Sequence, residues 1–307
     1  MLKRSRTMSH FNASMVGVGL RHPHYEMALD GASSIDFVEV HAENFFAAGG
    51  LTCTLLEEIG NRYRLSLHAT GLGLGSAVGV DDQHLQRLQH LVDRSDPLLV
   101  SDHAALARSH FEQRPVHAGD LLPVEFSVQA LAVLVENVDR VQQHLGRRLL
   151  VENIAQYIAL QPADLSETAF LVSLVEQTQC GLLLDLNNLL VNAHNQGRSD
   201  PLQYAKAWLR DIPAQAVGEL HLAGSTPVGD ADIQVDDHAQ PVSQTCWDLY
   251  RYALTRFGPV PTLVEWDNQL PSWSVLLQQA EQARAILNES TSGLKESATG
   301  EVNGDDL

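Results

Sequence analysis

Acidic, amide and imidazole side chains stand at the ends of several apolar runs in this sequence. The stretch GLLLDLNNLLVNAHNQGRSDP (181–201) begins like a buried strand and then places Asp185, Asn187 and Asn188 close together. An unpaired carboxylate is among the most costly groups to bury in a fold. We therefore expect Asp185 to have a positively charged partner.

Other apolar runs end in the same way. The polar residues at or just past their ends are His41, His68, Asp102, His103, Glu152, Asn153, Asp185, His221, Glu265 and Asp267. Imidazole nitrogens and carboxylate oxygens are ligands that zinc, manganese and iron accept. One such residue is more often a helix cap, a turn residue or half of an ion pair. The recurrence over several runs is what predicts a divalent metal site.

A fold that brings these run ends together is predicted by the order of the elements. Runs rich in Leu, Val or Ile predict strands at 15–20, 35–40, 64–69, 97–103, 148–153, 181–187, 217–224 and 261–267. Apolar periodicity predicts helices at 81–95, 127–146, 166–179 and 200–212. This alternation predicts an α/β fold, a (β/α)8 TIM barrel, in which the carboxyl ends of the strands share one face. An open doubly wound sheet is the alternative, but GVGLRHPH after the first strand is not the glycine pattern of that fold.

A further acidic and imidazole pair follows the seventh predicted strand, where VDDHAQP contains Asp236 and His238. Acidic loop segments are usually solvated, so the pair alone is a weak signal. Beside the other candidate ligands it is a plausible arm for a third metal ion.

The domain organisation follows from composition along the chain. We expect one catalytic domain over residues 15–287, preceded by a flexible N-terminus at 1–14. The segment 288–307 is polar, rich in Gly and Ser, and without apolar periodicity, which predicts a disordered C-terminal tail.

Charge and cysteine content argue against several classes of protein. A net charge of −18, with 20 basic against 38 acidic residues, argues against a nucleic acid partner. The three cysteines are far apart and form no C-x-x-C pair, which is typical of a reducing compartment and not of a thiolate zinc site. We find no signal peptide and no apolar run near the roughly 18 residues that a membrane span needs, so we expect a cytoplasmic protein without membrane association.

Nine segments in order resemble the multinuclear non-haem iron-dependent oxidative enzymes over roughly residues 15–285. They are GVGLRHPHY, FVEVHAENF, LHATGLGLGS, SDHAA, VEN, DLNNLLVNAHNQG, ELHLAGS, DDHAQPV and PTLVEWDN. The resemblance implies a xylose-isomerase-like barrel that uses two or three iron ions, mixed Fe(II) and Fe(III), with O2 as co-substrate. It also implies oxidative modification of a cysteine in a ribosomally made precursor peptide, with a small partner protein that recognises the leader.

The resemblance implies three ligand sets, with Glu152, Asp185 and His221 at the catalytic centre. One iron would be held by His68, His103 and Glu152; a second by Glu152, Asp185, His221 and Glu265, with Glu152 bridging; and a third by Asn188, Asp236 and His238. Related trinuclear hydrolytic barrels that cut DNA at abasic sites have His where Asn188 stands, so a weaker third site is expected. His194 is the alternative ligand there.

Substrate contacts are predicted on the first two strand-to-helix loops. Arg21, His41, Glu43 and Asn44 lie there and are expected to line the peptide channel, although Arg21 is equally well explained as half of a structural ion pair. The cysteine reaction stays open between excision of the β-carbon of a C-terminal cysteine, as in 3-thiaglutamate biosynthesis, and oxazolone or heterocycle formation.

Two other functions remain as alternatives. A metal-dependent hydrolase or sugar isomerase would use the same barrel, although a DNA nuclease should have a basic face and an isomerase usually keeps a lysine near its metals. A non-catalytic binding protein would not need so complete a set of ligands.

Overall fold

The computed structural model describes residues 13–31, 34–158, 160, 163–229 and 233–299. Of the N-terminal segment expected to be flexible, residues 1–12 lie outside the described residues. Within the described residues, no helix combines the length and the apolar character needed to cross a membrane.

The strands of the described residues form one barrel and two hairpins. They are β1 (Val16–Gly19), β2 (Phe37–His41), β3 (Arg64–His68), β4 (Leu99–His103), β5 (Ala105–Phe111), β6 (Arg114–Pro123), β7 (Leu150–Glu152), β8 (Gly181–Asp185), β9 (Val217–Leu222), β10 (Thr226–Val228), β11 (Ile233–Val235) and β12 (Thr262–Val264). The closed barrel has the order β1-β12-β9-β8-β7-β4-β3-β2, and all its pairs are parallel. This confirms the predicted (β/α)8 barrel.

Helices pack around the outside of the barrel. They are α1 (Tyr25–Asp30), α2 (Leu51–Arg62), α3 (Asp82–Ser95), α4 (Val128–Leu145), α5 (Glu167–Thr178), α6 (Leu186–Asn195), α7 (Pro201–Asp211), α8 (Gln244–Phe257) and α9 (Trp273–Thr299). The four predicted helices, α3, α4, α5 and α7, end within one residue of the predicted limits. Their first turns are capped by the side chains of Asp81, Ser127, Ser166 and Asp200, each of which accepts a backbone N–H.

The register of the barrel aligns the polar strand ends. His41 lies beside His68, His103 beside Glu152, and Asp185 beside His221. Because neighbouring parallel strands end at the same level, these side chains form one layer at the carboxyl end of the barrel.

Two features differ from the sequence predictions. The hairpins β5–β6 and β10–β11 follow the fourth and seventh barrel strands and were not predicted. Helix α9 continues to Thr299, so residues 288–299 are helical where a disordered tail was predicted. The buried residues Leu276, Ala280, Ala283 and Leu287 anchor its first turns, and extending an existing helix avoids the cost of nucleation. Residues 300–307 lie outside the described part.

Candidate metal centre

Two histidines and a glutamate from three neighbouring strands converge at the end of the barrel. The Nε2 atoms of His68 and His103 are 3.3 Å apart, and Glu152 Oε2 is 3.4 Å from the first and 3.3 Å from the second. Ligand atoms about 2.1 Å from a tetrahedral metal are about 3.4 Å from each other. These three residues therefore have the spacing of ligands around one cation.

The Nδ1 atoms of both histidines face polar groups. His68 Nδ1 is 2.8 Å from Ser101 Oγ, and His103 Nδ1 is 3.5 Å from Asp102 Oδ1. Asp102 is itself held, because its Oδ2 accepts the backbone N–H of Leu72 at 3.0 Å. Such partners orient a ligating imidazole and direct its other nitrogen to the metal.

The second oxygen of Glu152 faces a different set of residues. Glu152 Oε1 is 4.0 Å from His221 Nδ1, which is 2.9 Å from Glu265 Oε2. Ligand atoms of Glu152, Asp185 and His221 all lie within 4.8 Å of one another. One carboxylate thus faces two clusters with its two oxygens, which is the geometry of a bridging ligand.

A third cluster surrounds His238. Its Nε2 is 2.7 Å from Asp236 Oδ1 and 3.8 Å from Asp185 Oδ2, and its Nδ1 is 3.4 Å from Glu265 Oε2. Asp185 and Glu265 therefore face the second and the third cluster at once. Asn188 joins this region through its backbone N–H, which donates to Asp185 Oδ1 at 2.7 Å.

Several buried ligand atoms fit a metal centre because the protein does not satisfy them. Among the described residues, Glu152 Oε2, Asp185 Oδ2 and Asn188 Oδ1 have no hydrogen-bond partner, and each side chain is almost fully buried. Leaving such oxygens without a partner is costly. Metal ions bound among these residues would remove that cost, since hard cations accept carboxylate and amide oxygens.

The protonation of the metal-free cluster reflects its charge density. Burial raises the pKa of Glu152 to about 8 and the pKa of Asp185 to about 7. Burial opposes protonation of His103, but the carboxylates of Glu152 and Asp102 outweigh it and raise the pKa of this imidazole to about 9. Some of these side chains are therefore protonated when no metal is bound.

The clusters open into a cavity of about 590 Å³. Its lining includes His68, His103, Glu152, Asn188, Asp236, His238 and Glu265. Around them lie His41, Leu121 from β6, and Tyr157, whose hydroxyl accepts the backbone N–H of Asp236 at 2.8 Å. The volume is typical of a small-molecule site.

The residues predicted to contact substrate lie in different places. His41 lines the cavity, with its ring centroid 6.1 Å from that of His68. Arg21 is buried and donates to Asp267 Oδ1 at 2.6 Å and to Glu265 Oε1 at 3.1 Å, which is the ion-pair alternative. Glu43 Oε1 accepts the backbone N–H groups of Thr70 and Gly71, both at 3.0 Å.

The remaining candidates lie outside the cavity lined by the clusters. Asn44 lines a second cavity of about 380 Å³ that also includes Tyr25 and Phe45. His194, the alternative third-site ligand, faces a groove beside Leu190 and Pro201.

Two further buried acidic residues lie beneath the clusters and were not predicted from the sequence. Glu39 and Glu219 are fully buried in β2 and β9. Each stands two residues before a histidine at the strand end, His41 and His221, so it lies on the same face of its strand. That spacing, in FVEVH and GELHL, was the available signal.

Comparison with protein families gives a match over nearly the whole barrel. The family described as RiPP precursor modification enzyme MbnB/TglH/ChrH matches residues 15–288. A UPF0276 protein of Chromobacterium violaceum is 42% identical over 271 residues, which cover 88% of this chain and 94% of the relative. UPF0276 protein VP3015 of Vibrio parahaemolyticus is 38% identical over 290 residues, covering 94% and 98%.

Solved structures share the fold at low sequence identity. An L-ribulose 3-epimerase aligns with a TM-score of 0.58 and 13% identity over 95% of this chain and 99% of its own. Endonuclease IV from Thermus thermophilus aligns with a TM-score of 0.55 and 16% identity over 90% and 99%. A xylose isomerase domain-containing protein from Salmonella typhimurium aligns with a TM-score of 0.54 and 12% identity over 91% and 99%. These similarities confirm the xylose-isomerase-like barrel and concern the fold alone.

Proposed function

This chain belongs to the family of RiPP precursor modification enzymes MbnB/TglH/ChrH, and on that premise we propose that it is an iron- and O2-dependent oxidase of a cysteine in a precursor peptide. The observation that carries the proposal is the convergence of imidazoles and carboxylates from the ends of several barrel strands at one cavity and directly beneath it. Two or three iron ions are the proposed cofactor, and a small leader-binding protein is the proposed partner.

The proposed ligand sets are those that the sequence resemblance implies. His68, His103 and Glu152 would hold one ion, and Glu152 would also belong to a second set completed by Asp185, His221 and Glu265. Asn188, Asp236 and His238 form the third set. The distances among His68, His103 and Glu152 support the first set, and the two differently directed oxygens of Glu152 support the bridge.

Bound iron supplies the one-electron and O2 chemistry that no protein side chain provides. The chain fixes the ligand geometry and limits access of water, since all the ligands except Asp236 are buried. His41 lies beside the ligands on the cavity wall, which supports the proposal that it contacts the peptide. Leu121 and Tyr157 lie on the same wall and provide apolar surface around the reacting cysteine.

The proposal is tested by anaerobic production of the chain with its partner, followed by iron analysis and Mössbauer spectroscopy. The loaded protein is then incubated with a cysteine-containing candidate precursor peptide, sought among the products of neighbouring genes, with and without O2. We expect a mass change located at a cysteine, only with O2, and none in a peptide with that cysteine replaced by serine. Glu152→Ala and His221→Ala should lose both iron and activity.

The result that would reject the proposal is equally specific. Full turnover with zinc or manganese in the absence of O2 would indicate the alternative function, a metal-dependent hydrolase or isomerase on the same barrel. Bound iron without any change in the peptide would keep the metal site and reject the cysteine chemistry.

A further inference from the structure

A second layer of polar residues lies inside the barrel, beneath the ligand clusters. It consists of Glu39 on β2, Ser66 on β3 and Glu219 on β9, all fully buried. Barrel interiors of this kind are usually filled by apolar side chains. Two buried acidic residues at this level therefore need an explanation beyond packing.

His221 connects this layer to the clusters above, because its two ring nitrogens face opposite ways. Nδ1 is 2.9 Å from Glu265 Oε2 and 4.0 Å from Glu152 Oε1, so it faces the proposed metal centre. Nε2 is 3.5 Å from Glu39 Oε1 and 4.0 Å from Glu219 Oε1, so it faces the inner layer.

Glu39 is held in place from its other side. Ser66 Oγ donates to Glu39 Oε2 at 2.8 Å, and the two residues are directly opposite each other in the β2–β3 register. The remaining oxygen, Oε1, and His221 Nε2 both lack a hydrogen-bond partner among the described residues, and they lie 3.5 Å from each other. The carboxylate is thus anchored by one oxygen and presents the other to His221.

We propose that Glu39 is a positioning residue, which accepts the Nε2–H of His221 and so keeps Nδ1 as the nitrogen that binds iron. A neutral imidazole has one N–H and one lone pair, and the partner of the N–H decides which nitrogen is left for a metal. The inference rests on the metal centre of the proposed function. It does not depend on the reaction with peptide.

Glu219 does not have the same relationship to His221. It lies 0.5 Å farther from Nε2 than Glu39 does, by the difference between 4.0 and 3.5 Å. Neither of its carboxylate oxygens has a hydrogen-bond partner among the described residues. It is equally buried and belongs to the same layer, so it provides the matched control.

The experiment compares Glu39→Met, Glu39→Gln and Glu219→Gln by anaerobic iron titration and Mössbauer spectroscopy in the absence of peptide. Methionine keeps the approximate size but removes the acceptor, and we expect about a 10- to 100-fold loss of affinity for one iron, with a changed signal. Glutamine keeps an acceptor oxygen, so Glu39→Gln should recover most of the affinity. Glu219→Gln should retain the wild-type titration and spectrum.

Thermal unfolding of the metal-free variants separates a folding defect from a metal defect. If Glu39→Met does not fold, Ser66→Ala removes only the anchor of Glu39 and should lower the affinity for the same iron several-fold.

Wild-type affinity and spectrum in Glu39→Met, or in Ser66→Ala where it is needed, would overturn the inference. An additional metal ion lost in both Glu39→Gln and Glu219→Gln would also overturn it, since it would indicate a cation between these residues. Wild-type protein that binds iron but leaves the peptide unchanged would reject the proposed reaction without affecting this result.

Discussion

Asp185 Oδ1 accepts the backbone N–H of Asn188 at 2.7 Å, so the last residue of β8 is also the N-cap of α6. Asp185 Oδ2 has no hydrogen-bond partner among the described residues and lies 3.8 Å from His238 Nε2. One carboxylate therefore begins a helix with one oxygen and faces the proposed metal centre with the other. This division explains how a charged residue is tolerated at the end of an apolar strand.

The two roles of Asp185 are separable by substitution. Asp185→Asn keeps an oxygen that caps the helix but removes the charged ligand, so we expect metal-free protein of near wild-type melting temperature that binds metal poorly. Asp185→Ala also removes the cap and should cost about a further 1 kcal/mol of unfolding free energy. Denaturant unfolding of the metal-free variants and metal analysis after reconstitution check both expectations. Equal metal content in Asp185→Asn and wild type would contradict the ligand assignment.

A second prediction concerns the first cluster. His68→Ala removes one of three ligand atoms spaced for a single cation. We expect more than about a 100-fold loss of affinity for that ion, since even groups that only orient ligands are worth 10- to 100-fold. The matched control is His90→Ala on α3, where the histidine is exposed. Equal metal content and activity in the two variants would remove His68 from the site.

Metal affinity should depend on pH because protons and cations compete for the same atoms. In the metal-free protein the pKa values of His103, Glu152 and Asp185 are about 9, 8 and 7. A metal must displace these protons, so the affinity for the metal should rise as the pH is raised from about 6 to about 9. Chelator competition at a series of pH values, with counting of the protons released, measures this effect. An affinity independent of pH over that range would contradict it.

The barrel and the strand ends that carry the proposed ligands were predictable from sequence, because both depend on local patterns. Each strand is a short apolar run, and its carboxyl end is marked by a polar residue such as His68 or Asp185. Parallel pairing then places those ends on one face without any knowledge of side-chain contacts. Helix limits were predictable for the same reason, since caps such as Ser127 and Ser166 are encoded locally.

Features that depend on contacts between distant residues were not predictable. The sequence left Arg21 open between a substrate contact and a structural ion pair, and only the folded chain identifies Glu265 and Asp267 as its partners. Glu43 was expected to line the peptide channel, yet its carboxylate accepts the backbone N–H groups of Thr70 and Gly71. The inner layer was not predicted because Glu39 is a single acidic residue within an apolar strand. That pattern is common in proteins and does not by itself indicate a site.

The segment before Asp236, the arm of the third ligand set, should be held in position by a residue outside that set. Asn195 pairs with the backbone of Gln234 through both amide atoms, Oδ1 and Nδ2, each at 2.9 Å. Asn195→Ala removes two hydrogen bonds that contribute about 1 kcal/mol each. We expect weaker binding of the ion assigned to Asp236 and His238, with the His68 cluster unchanged.

The measurement for this arm is an iron titration that resolves the individual ions by Mössbauer spectroscopy. Asn288→Ala provides the control, because this asparagine is exposed on α9, far along the chain from the arm. Loss of all ions together in Asn195→Ala would indicate a general folding defect in place of a local effect.

Arg21 provides the test that separates a structural residue from a substrate contact. Arg21 is 8% exposed, and its guanidinium donates to Glu265 and Asp267, which lie beside a site already rich in carboxylates. Removing one partner of a buried ion pair costs about 3–5 kcal/mol, because the other charge is left without compensation. We expect Arg21→Met to lower the unfolding free energy of the metal-free protein by about that amount. Arg21→Lys should lose less unfolding free energy, since it keeps the charge but not the two-pronged geometry.

Denaturant unfolding of these Arg21 variants without metal or peptide measures the change directly. If Arg21 instead binds a carboxylate of the peptide, Arg21→Met will unfold like wild type and the defect will appear as a raised KM for the peptide.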